Sequence, residues 1–223
     1  TTEIYTLSLH DALPIFFPLG FYLMMAFIMP AINPFFREAM IPAMITFAIL
    51  ASTLLGLPDP LVNSRETGIF RSYKINGVPA SSILLIPALT TGLHLAIVTM
   101  IITFTALLLF DAAAPANGIP FFIVTFALAL ACSGLGVLIG IVSPSTRMTV
   151  MFSQIIFVPS MLLGGLMMPF NILPEAAQAI AKLLPATHAM NAFNGLAMGA
   201  TADFNPWVSV AALIASGIIA FGM

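Results

Sequence analysis

Long uncharged runs alternate with short polar segments along the chain. The runs cover 16–30, 39–58, 81–110, 119–142, 148–169 and 207–223. A helix crossing a bilayer needs about 20 mostly apolar residues. The four central runs meet that length; the first is short and the last nearly full. The pattern predicts six membrane-spanning helices. A further run, 183–202, is apolar but broken by Pro185, His188, Asn191 and Asn194. It reads as an interfacial or re-entrant segment, because polar backbone breaks inside a membrane are tolerated only where protein or water covers them.

Composition agrees with the pattern. Of 223 residues, 61% are hydrophobic and 6% charged, against about a quarter charged in soluble domains. This excludes a soluble enzyme, a nucleic-acid-binding protein and a disordered tail. Cys132 is the single cysteine, which excludes a disulfide framework and CxxC metal sites. Residues 1–15, TTEIYTLSLHDALPI, differ from the rest. They resemble one translated frame of a short-read sequencing adapter. They are expected to be non-native, leaving 16–223 as one membrane domain truncated at both ends.

Basic residues in short loops set direction. The loop 59–80 carries Arg65, Arg71 and Lys74, and 143–147 carries Arg147; the opposite loops hold Arg37 and Lys182. Four bases against two put the first pair of loops in the cytoplasm. Within 63–79, Ser64 is expected to cap a short helix over 65–75 that Gly77 and Pro79 stop. Ile69 and Tyr73 share one face of it, with Arg65, Glu66 and Arg71 largely off that face. Such a helix lies along the membrane, as a lipid anchor or as a docking surface for a cytoplasmic partner. On the other side, Gly164, Gly165 and Pro169 precede a Leu-Pro step at Pro174. Pro174 is expected to open an amphipathic helix with a Glu175, Gln178 and Lys182 stripe, ended by Pro185 before Thr187 and His188.

These two motifs, in this order, resemble the ABC-2 exporter permease family over 16–223. The resemblance implies six transmembrane helices, a cytoplasmic coupling helix and an outer re-entrant hairpin. It places Arg65, Glu66, Gly68, Arg71 and Lys74 at the contact with an ABC ATPase. It places Gly164, Gly165, Pro169, Pro174, Pro185 and His188 in an extracytoplasmic gate segment. The loop departs slightly from the family, reading Asn76-Gly-Val-Pro79 where a Thr-Pro or Ser-Pro is usual. The resemblance further implies two ATPase subunits that bind ATP and Mg²⁺, a homo- or heterodimer of membrane subunits, and a plasma membrane, the bacterial inner one. The substrate expected of such uncharged spans is hydrophobic or amphipathic.

Other residues carry less. His94 is alone mid-span, where a neutral ring bonding a neighbouring helix competes with a functional role. His188, Asn191 and Asn194 either line a substrate entrance or satisfy broken backbone. Gly136 and Gly140 have a close-packing spacing, with the partner helix undetermined. Pro42, Pro87 and Pro159 are expected to kink their helices. Lys74 and Lys182 do not follow glycine, so the chain has no phosphate-binding P-loop, and no His/Cys metal cluster or in-span carboxylate stands out. Two alternatives remain open at this point: an intramembrane hydrolase pairing a serine with His94 or His188, and a non-catalytic scaffold or carrier.

Overall fold

The computed structural model describes residues 9–33, 36–69, 75–77 and 80–222. The described chain is all-α, with no strand among the described residues. In order, the helices are α1 (Leu9–Ile32), α2 (Phe36–Leu50), α3 (Pro58–Glu66), α4 (Ala80–Leu109), α5 (Gly118–Val142), α6 (Thr146–Leu163), α7 (Glu175–Ala181), α8 (Pro185–Ala192) and α9 (Pro206–Gly222). Wider π-helical turns join α2 to α3 (Ala51–Gly56) and extend α8 (Phe193–Met198).

Among the described residues, five helical stretches are long and apolar enough to cross a membrane: Ile15–Ile32, Phe36–Glu66, Leu89–Leu109, Gly118–Val142 and Thr146–Leu163. The sixth expected span, Pro206–Gly222, is an apolar helix of 17 residues, below that length. α1 begins at Leu9, upstream of the start expected at Phe16.

Burial divides the helices by role. In the most apolar 18-residue stretch of Phe36–Glu66, 89% is buried inside the protein, against 17–22% for the corresponding stretches of α1, α4 and α6. An α-helix apolar on every side is stable either in a core or against lipid; α2 takes the core. Ring stacking of Phe21 on Phe47, with centroids 3.9 Å apart, fixes α1 against it. Phe157 of α6 approaches the same ring at 5.8 Å. Tyr22 and Thr105 share a 2.9 Å hydrogen bond between α1 and α4. The large apolar side chains that remain outside, such as Phe27, Leu93, Leu108 and Ile155, form a surface suited to hydrocarbon rather than water. Several hydroxyls within the spans donate back to their own helix, as Thr103 does to the Thr99 carbonyl at 2.8 Å and Thr125 to Phe121 at 2.8 Å. No water is needed to satisfy them.

α5 is held on two sides by glycine. A Cβ on Gly136 would run into the Thr53 carbonyl oxygen, in the π-turn between α2 and α3. One on Gly140 would meet Leu61 of α3 at 3.1 Å. On another side, a Cβ on Gly134 would sit 3.0 Å from the Gly217 carbonyl oxygen of α9, and one on Gly217 would press on Leu130 at 2.9 Å. The small-residue spacing therefore seats α5 against the α2–α3 rod, while Gly134 and Gly217 form a separate seam to α9.

Three expectations are corrected. The span expected to stop at 58 continues to Glu66. Pro58 occupies the first turn of α3, where proline needs no amide partner, so it extends the rod. Ser64 is thus inside a helix and caps nothing. The run 183–202 packs into the protein: Pro185 opens α8 as well as following α7, and Ala186, Ala189, Met190, Ala192, Phe193 and Ala197 are core residues. α7 itself starts at Glu175, with Pro174 as its cap.

Gly136→Ala should destabilise the protein by about 1–3 kcal/mol, because the obstructing Thr53 atom is backbone. Gly92→Ala, which meets nothing within 4 Å, should be neutral or slightly stabilising. Thermal unfolding in detergent measures both.

Candidate functional site

Chemistry-bearing residues collect at the two ends of the bundle. At one end, α3 finishes with Arg65 and Glu66 beside the α5–α6 turn. The Arg65 guanidinium donates to the Ile141 carbonyl at 2.9 Å and also to the Ser143 carbonyl. The Glu66 carboxylate accepts from the Thr146 hydroxyl at 3.1 Å. Thr67 closes the helix by donating its hydroxyl to the Asn63 carbonyl at 2.8 Å. Gly68 then turns the chain with φ of 75°, a conformation that costs glycine little. Ile69 and Ile75 are exposed, and Gly77, with φ of 73°, makes a second left-handed turn. Arg71, Tyr73, Lys74 and Pro79 lie outside the described residues.

At the opposite end a cavity of about 620 Å³ opens between the start of α2, the 164–171 segment and the α8–α9 connection. Glu38, Gly164, Asn171, Thr187, Asn194 and Asp203 are among the residues around it. Gly164 has no room for a Cβ between the Ser160 carbonyl and Ala186, and Gly165 adopts φ of 87°. Both glycines are thus required by the turn that ends α6 and delivers Pro169 to the cavity rim. Pro174 caps α7, and Pro185 is the first residue of α8.

Asn191 organises this end. Its side-chain amide donates to the Phe204 carbonyl at 2.9 Å and to the Ser209 hydroxyl at 3.0 Å. Its carbonyl oxygen accepts the Asp203 and Phe204 amides at 2.8 and 3.1 Å. A buried asparagine thus replaces the backbone partners that the α8–α9 connection lacks. Asn117 does the same for the π-turn, donating to the Leu196 carbonyl at 3.2 Å from its side chain and to Ala197 at 3.0 Å from its backbone. His188 bonds the Lys182 carbonyl at 2.9 Å and packs edge-on against Phe204. Asn191, Asn117 and His188 thus each bond backbone, while Asn191 and Asn194 also line the cavity. For His188 the ring's partner is a carbonyl, not the serine hydroxyl a hydrolase would require. His94 is half-buried in α4. Among the described residues no group of His, Cys, Asp and Glu is arranged to hold a metal ion.

Partial burial raises the Asp203 carboxyl above its ordinary pKa, since desolvation disfavours the charged form.

Comparison with known families decides what kind of protein carries this arrangement. The ABC-2 type transporter profile matches residues 7–198. The chain belongs to the ABC-2 type transporter family. No curated protein and no solved structure matches it significantly. Family membership and the five apolar spans make this ABC-2 protein a multi-pass membrane component of an ABC transporter, and imply association with an ABC ATPase.

The sequence reading did not find the partners of Arg65 and Glu66. Nor did it find Asn117, whose place directly before a long apolar run was the available sign of a helix cap. Thr146, following Ser145 at the start of α6, was a comparable sign.

Asn191→Leu should destabilise the outer connection by about 2–3 kcal/mol, by orphaning two amides, a carbonyl and a hydroxyl. Limited proteolysis at 199–205 should accelerate. For Asp203 the sign runs the other way from most carboxylates: the neutral form is favoured in the fold. Stability is therefore present below the carboxyl's unfolded pKa and is lost as pH rises through the raised folded value. Proteolysis of 199–205 should quicken across that window, and Asp203→Asn should remove the pH dependence.

Proposed function

We propose that this ABC-2 protein is the membrane-spanning permease subunit of an ATP-driven exporter of a hydrophobic or amphipathic solute. Two such membrane domains, identical or related, enclose the pathway. Two ABC ATPase subunits dock on the segments 63–79, one on each, and supply ATP and Mg²⁺. This chain contributes the bilayer-embedded path and the mechanical link.

The observation that carries the reading is the helical rod from Phe36 to Glu66, buried through its apolar middle. It begins beside the outer cavity, at Glu38 and Ala39, and ends where the basic segment begins. A displacement of that segment by ATP-driven closure of the ATPases would be passed along the rod to the cavity. The cavity mixes Met190, Met198 and Phe170 with Asn171, Asn194 and Thr201, a lining suited to amphipathic molecules. The gate assigned to Gly164, Gly165, Pro169, Pro174, Pro185 and His188 is the hairpin that walls or adjoins this cavity. Arg71 and Lys74 supply the docking charge, and the bias of basic residues puts their end in the cytoplasm. The membrane is the plasma membrane, a bacterial inner membrane.

Arg71→Glu combined with Lys74→Glu should reduce co-purification of the ATPase about tenfold, by turning an attractive contact repulsive. Unchanged co-purification and transport would contradict the docking assignment.

A further inference from the structure

We propose that Arg65 and Glu66 form a joint that ties the end of the α2–α3 rod to the turn between α5 and α6, so that movement of the docking segment reaches three helices at once. The inference rests on the reading of 63–79 as the ATPase contact, and within that segment it gives Arg65 and Glu66 a positioning role inside the chain in place of a direct contact with the ATPase.

The argument begins with the ends of helices. The last carbonyls of a helix carry partial negative charge, and the first turn carries partial positive charge. Arg65 donates to Ile141 and Ser143, at the carbonyl-rich end of α5. Glu66, its neighbour, accepts from Thr146, the first residue of α6. The adjacent cation and anion thus match the polarity of two different helix ends. The planar guanidinium can serve two carbonyls at once, which an ammonium cannot do with the same geometry.

The joint's surroundings favour transmission. α3 is continuous with the buried rod, with Leu61 and Val62 in the core. Leu61 lies against Gly140, so rod and α5 are already in register one turn from the joint. Immediately beyond Glu66 the helix ends, and Gly68 makes a left-handed turn. The break in the helix therefore falls after the joint, on the docking side. A push on 69–77 arrives at a place where the rod, α5 and α6 are fastened together. Two nitrogens of Arg65 and one oxygen of Glu66 are engaged within the chain.

The test uses two measurements on the protein in lipid nanodiscs. The first is hydrogen exchange on the permease without ATPase. Arg65→Gln and Glu66→Gln should each speed exchange of the amides at 143–149 roughly threefold or more, as charge-assisted bonds near solvent are lost. Arg65→Lys should restore less than half of the protection. Unchanged exchange would overturn the joint. Should Arg65→Gln fail to fold, Thr146→Val removes the Glu66 bond while keeping both charges.

The second measurement uses the complex with its ATPase. A cysteine at the exposed outer position Thr201 is labelled with a charged maleimide, with and without ATP and vanadate. Without other changes, trapping should alter the labelling rate. With Arg65→Gln or Glu66→Gln the ATPase should still co-purify, yet the nucleotide response should fall at least about threefold. An undiminished response would overturn the proposal, and so would a background whose labelling ignores nucleotide. Loss of the ATPase, as with Arg71→Glu and Lys74→Glu, would overturn it too, showing that the pair holds the partner directly. If the unmodified permease binds no ATPase, the docking reading fails by itself, and hydrogen exchange alone decides whether the joint exists.

Discussion

The approach of α5 to the α2–α3 rod is the contact on which the arrangement depends. Lipid solvates leucine as well as another helix does, so burial of apolar area cannot drive helices together inside a membrane. Close backbone packing can. At Gly136 the surface of α5 reaches the Thr53 carbonyl oxygen with no space for a Cβ, and at Gly140 it meets Leu61 and Pro58. Gly134 and Gly217 provide the matching seam to α9. The position of α5 then fixes both ends of the molecule. Its last carbonyls receive Arg65, and Asn117, just before its first turn, receives the π-turn after α8.

Satisfied backbone is the second constraint. The chain breaks its helices at the cavity end, where unpaired amides would be costly near hydrocarbon. Asn191, Asn117 and His188 supply the missing partners, each bonding a segment remote from itself in the helix. The cavity can therefore be walled by irregular chain. Glycine does corresponding work: Gly165 turns the chain after α6, and Gly164 admits Ala186. Asp203 hangs from this scaffold by its amide, leaving its carboxyl at the cavity in partly desolvated surroundings.

Much of this was legible in the sequence, and the exceptions have physical reasons. Uncharged runs located the long spans because a bilayer-length helix is specified by composition over about 20 residues. Their ends were less visible. Pro58 and Asp59 read as the close of a span, whereas proline at a helix start extended it to Glu66. The run from Pro185 read as interfacial or re-entrant because prolines and polar residues interrupt it; Asn191 is turned onto backbone, and Ala186, Ala189 and Phe193 are core. The Gly136 and Gly140 spacing announced a close contact, but only three dimensions name Thr53 and Leu61. Arg65 and Glu66 were legible as functional residues of the loop; their partners, nearly eighty residues away, were not.

The central claim is that the rod spans the bilayer between a docking end and a cavity end on opposite faces. Single cysteines at Asn76 and Asn171, both exposed, test it with a membrane-impermeant maleimide on intact cells. The account predicts that Asn171→Cys is labelled from outside, and that Asn76→Cys reacts only after the membrane is opened. Labelling of both from the same side, or of Asn76→Cys alone from outside, would contradict it.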